Sequence, residues 1–82
     1  LRPVREWLSA EDLDALRVVT HRFLPEDWQD YRRQALAAIA KRWPGLEPRE
    51  ELVEAVRDRL IIREHFGPAR WAPYAGELEG YY

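Results

Sequence analysis

The chain has 82 residues, 13 basic and 15 acidic, a net charge of -2, no cysteine and 46% hydrophobic residues, enough material for one small core and no more. That apolar share excludes an intrinsically disordered chain, and the lack of cysteine excludes disulfides, thiolate metal sites and a cysteine nucleophile. The near-balanced charge gives no overall attraction to phosphate backbones or anionic membranes, so a nucleic-acid role would need a local basic face. No apolar run is long enough for a membrane span, and a cytoplasmic protein without membrane association is the expectation.

The uncharged polar set is unusually small: no Asn, Gln only at 29 and 34, one Ser and one Thr. With charged residues at 34% and Met also absent, the composition leans towards a thermophilic source, although a GC-rich genome equally favours 12 Arg over one Lys.

Helix signals begin at Ser9, which with Asp12 three residues on makes a capping-box-like start, while Leu8 and Leu13 take hydrophobic-staple positions. Leu13, Leu16, Val19, Thr20 and Phe23 follow at three- and four-residue spacing, one stripe of a helix over 10–23. Pro25, Glu26 and Asp27 restart the pattern, because proline suits a first helical turn and carboxylates oppose the positive end of the helix dipole. The second helix is expected over 25–42, with Trp28, Tyr31, Ala35, Leu36, Ala38, Ile39 and Trp43 inward. Trp43-Pro44-Gly45 ends it. A third helix is expected over 48–65, its core face formed by Leu52, Val53, Ala55, Val56, Leu60, Ile62 and Phe66 with Ile61 outside that face. Gly67-Pro68 stops it, and residues 68–82 show neither helical nor strand period. The fold expected is an all-α small three-helix bundle, one domain over 1–82, with an extended aromatic C-terminal tail.

Catalytic and binding motifs are sparse. His21 and His65 lack metal-ligand spacing, the acidic clusters at 11–14 and 50–54 read as helix starts, Ser9 reads as a cap, and the four glycines form no phosphate-cradling loop. No enzyme activity, metal or cofactor is expected. Helices two and three resemble a helix-turn-helix in outline, but Glu47, Glu50, Glu51 and Glu54 would stand where phosphates must approach.

Two features remain. Arg32, Arg59 and Arg63 fall within apolar arcs of their helices, and the tail carries Trp71, Tyr74, Tyr81 and Tyr82. An inward guanidinium must reach a carboxylate, a phosphate, a carbonyl or water, whether by snorkelling to the domain edge, by forking onto a partner's carboxylates or phosphates, or by lining a small-anion pocket. Tail aromatics need a surface: for Trp71 and Tyr74 the chain's own core, for Tyr81 and Tyr82 a partner. The function expected is a non-catalytic accessory subunit or adaptor that docks on a larger protein, or on a second copy, through Arg59, Arg63, Arg70, Trp71, Tyr74, Tyr81 and Tyr82. The alternative is a small regulator acting on or near nucleic acid, such as an antitoxin, a phage-type inhibitor or a compact DNA-binding module. On this view, removing the tail after Gly67 leaves the helices intact.

Overall fold

The structure, a computed structural model, describes residues 1–79. Tyr81 and Tyr82 lie outside the described residues. A 3-10 turn, Val4–Glu6, leads into α1 (Ala10–His21), α2 (Pro25–Arg42) and α3 (Glu50–His65), then α4 (Pro68–Trp71), a second 3-10 turn (Ala72–Tyr74) and α5 (Ala75–Leu78). The chain is all-α, with no strand among the described residues.

The cap at Ser9 forms as expected, its Oγ accepting the Asp12 backbone N–H at 3.1 Å. α1 closes two residues early because Phe23 N–H bonds the Thr20 carbonyl at 3.1 Å, a tighter turn from which Leu24 leaves extended. Leu24 N–H then donates to Asp27 Oδ2 at 2.8 Å, and Pro25 opens α2 where a missing N–H costs nothing. Leu46 N–H returns to the Trp43 carbonyl at 3.1 Å, with Gly45 left-handed at φ 84°. α3 begins at Glu50 rather than at 48, since Arg49 is still extended when its carbonyl accepts the first turn's N–H groups.

The core has two parts. Ala35 and Ile39 of α2 pack with Val53 and Val56 of α3; Val4, Leu8, Leu16, Tyr31, Ile61, Ile62, Phe66 and Leu78 form the other, and Leu60 touches both. Ile61 is fully buried, against the expectation that it lies off the core face. The reason is that α3 is covered on several sides, by α2 and by both chain ends, so no single apolar stripe describes it.

The expected extended tail is also corrected over 68–78, which form short helical turns packed back on α3. Pro68 and Pro73 sit in the first positions of their turns, where proline favours a helical start. Four residues make about one turn, too few for a 3.6-residue period to show. Leu78, at the end of this strap, is fully buried.

Two outcomes follow from this packing. Gly45→Ala finds open space for its Cβ but must hold a positive φ, and costs about 1 kcal/mol in chemical denaturation. Truncation after Gly67 uncovers the Leu78 site and lowers the thermal midpoint read by circular dichroism, where a separable tail would leave it unchanged.

Candidate functional site

The C-terminal strap gathers most of the residues singled out from the sequence, and it does so around one buried cation. Arg59 is fully buried. Its Nη1 donates to the Ala55 carbonyl at 2.9 Å, Nη2 to the Arg2 carbonyl at 2.9 Å and to Glu77 Oε2 at 3.3 Å, and Nε to the Glu77 carbonyl at 3.3 Å. The Trp7 ring lies 5.2 Å from the guanidinium carbon. Arg59 therefore binds its own chain and is corrected as a partner contact: no part of it reaches the surface. Arg32 instead takes the outward course open to such a side chain. It is half-exposed and forks onto both carboxylate oxygens of Glu50, because a long side chain beside α3 reaches the first-turn carboxylate more readily than the core.

Arg70 and Tyr74 meet at Asp12. Arg70 Nε donates to Asp12 Oδ1 at 2.7 Å and the Tyr74 hydroxyl to Asp12 Oδ2 at 2.5 Å. Tyr74 Oη in turn accepts the Ser9 backbone N–H at 3.2 Å. In a capping box the residue at Asp12's place would take that N–H itself; here the tyrosine relays it, and the start of α1 anchors the strap. Tyr74 also packs on Trp7 at 5.3 Å between ring centroids. Trp71 is half-buried with the Arg63 guanidinium 5.1 Å from its ring, and Arg70 lies 5.3 Å from the Phe66 ring. Trp71 and Tyr74 thus pack on the chain's own body, as the sequence led us to expect.

Arg63, Arg70, Trp71 and Tyr74 form one continuous patch through Asp12, Trp7 and Phe66, with Arg59 beneath it. Sequence reasoning missed Asp12, Trp7, Glu77 and Arg2 as members. Asp12 carried a signal, but one already assigned to the helix cap; Glu77 carried none once its segment was read as extended.

The electrostatics are those of a clamp. The Tyr74 hydrogen bond, then that from Arg70, hold the Asp12 carboxyl below its ordinary range, and Arg2, then Arg59, do the same for Glu77. At the far end of α3 the Tyr31 hydroxyl donates to Glu64 Oε2 at 2.5 Å and lies 2.9 Å from His65 Nε2, with Phe23 stacked on the phenol ring at 5.4 Å. Burial and Glu64 push that phenol up, so it stays protonated and acts as a hydrogen-bond donor tying α2 to α3. Glu50, Glu51 and Glu54 are exposed along the start of α3. Burial pushes the Asp58 carboxyl up although Arg57 Nη2 lies 2.9 Å away. Among the described residues no group of three His, Asp or Glu is placed to hold a metal ion, and no helix is long and apolar enough to cross a membrane. No protein-family model, curated protein or solved structure matches this chain.

The lowered Asp12 and Glu77 carboxyls contribute a pH dependence. A carboxyl with a lower pKa folded than unfolded binds its proton more weakly in the folded state, so its stabilisation is complete above the ordinary value and is lost as pH falls. Denaturation titrations are therefore expected to lose stability as pH drops through 4.5 and 3.8, the ordinary values of Glu77 and Asp12. Asp12→Asn and Glu77→Gln each lower stability at neutral pH and flatten that acid limb; an unchanged limb would show that the carboxylates do not hold the strap.

Proposed function

We propose that the chain is a non-catalytic protein-binding module, an accessory subunit or adaptor, and that the outer side of the strap is its docking surface. The observation that carries this reading is the half-exposed Arg63–Trp71 stack, held in place by the anchored turn that also presents Arg70. Arginine and tryptophan are the residues most enriched at binding hot spots. A guanidinium already lying on its ring has lost most of its rotamer freedom before a partner arrives, which lowers the entropic cost of docking. The exposed carboxylates along the start of α3 support a protein partner over a nucleic acid, since they would repel phosphates on that face.

The test is affinity capture with the full chain, compared with Trp71→Ala. Loss of a reproducibly captured protein with an unchanged helical circular dichroism spectrum supports the reading, with an expected weakening of about tenfold or more for a hot-spot tryptophan. The same protein retained equally by both would remove the strap from the interface.

A further inference from the structure

The outward face of α1 carries an arrangement that neither the core nor the strap uses. At about 100° per residue, Asp14 and Val18 lie nearly opposite the buried Leu16, with Glu11, His21 and Arg22 beside them. Val18 is 57% exposed. Arg17, Val18, His21 and Arg22 line a shallow, open depression of the surface. Along this stripe the first half is acidic and the second half basic. Complementarity to the helix dipole accounts for the charge order, and the exposed Val18 stands between the two halves.

A stripe that is acidic at one end, apolar in the middle and basic at the other is self-complementary when two copies meet antiparallel across a two-fold axis. We infer that this face of α1 is the docking site for a second copy of the chain, with the axis passing Val18. Val18 then meets Val18 of the second copy, and Asp14, one helical turn before it, comes opposite Arg22, one turn after it, in both directions. The antiparallel helix dipoles favour the pairing as well. Asp14 is available for exchange because its bond to Arg17 is 3.4 Å long with both side chains about seven-tenths exposed, the kind of ion pair that contributes little. One face of a 12-residue helix falls below the roughly 800 Å² per partner of stable complexes, so the pair is weak and strengthened by low salt.

Sedimentation equilibrium of the full chain across a concentration series tests this. At low salt the average mass rises towards that of a dimer, and added salt reverses it. Asp14→Arg alone and Arg22→Asp alone each weaken self-association about tenfold or more, because each sets like charges against one another at both symmetric contacts. Mixing the two variants restores association, since each substituted residue then faces its opposite charge. Circular dichroism confirms that these exposed positions leave the fold intact. A chain that stays monomeric at every concentration in low salt overturns the inference, as does a dimer indifferent to both substitutions or a mixture that fails to recover.

Discussion

The guanidinium of Arg59 is the interaction on which the rest of this structure depends. It sits in the middle of α3 with no surface exposure and donates to main-chain carbonyls on three separate stretches, at Arg2, Ala55 and Glu77. An uncompensated buried charge costs several kcal/mol, so the fold is stable only while those stretches stay where they are. Lysine would not serve as well: a point charge lacks the planar fork that reaches several acceptors at fixed angles. The dependence runs both ways. α4 and α5 are four residues each, far below the length at which a helix persists on its own in water; α5 holds its place through buried Leu78 and the bonds from Arg59 to Glu77, and α4 through Arg70 and the packing of Trp71.

The same economy governs the tryptophans. Each of the four has an arginine on its ring: Arg59 on Trp7, Arg57 on Trp28, Arg42 on Trp43 and Arg63 on Trp71. A chain this short cannot enclose four indoles, because too little of its surface is interior. Guanidiniums cover the rings instead, gaining cation–π attraction while at three of the four sites the charge keeps access to water. The arginine–tryptophan pairs thus shield rings that a chain of this size cannot enclose.

The start of α1 is used twice. Ser9 and Asp12 begin a helix, and the leftover valences of that cap, the Ser9 backbone N–H and the Asp12 carboxylate, are taken up by Tyr74 and Arg70 from the far end of the chain. A local helix signal thereby becomes a long-range tie, and the lowered Asp12 carboxyl is its electrostatic trace.

What the sequence by itself determined was local. The three long helices, the Ser9 cap, the Pro25 start, the Gly45 turn and the apolar positions Leu16, Tyr31, Ala35, Ile39, Val53 and Val56 were legible because capping, proline placement and a 3.6-residue period act within one or two turns. Tertiary structure alone decided the rest. Arg32, Arg59 and Arg63 occupy similar wheel positions, yet one reaches outward to Glu50, one is sealed within and one lies on Trp71; the difference is which carboxylate, carbonyl or ring other elements bring near. Ile61 looked exposed because a wheel assumes one covered side, whereas α3 has several. The strap looked extended because single helical turns have no period to read. Most of the candidate binding patch was visible as a list of residues, but its joining through Asp12, Trp7 and Glu77 depended on contacts across more than 50 positions of chain, as between Asp12 and Tyr74, which no local pattern encodes.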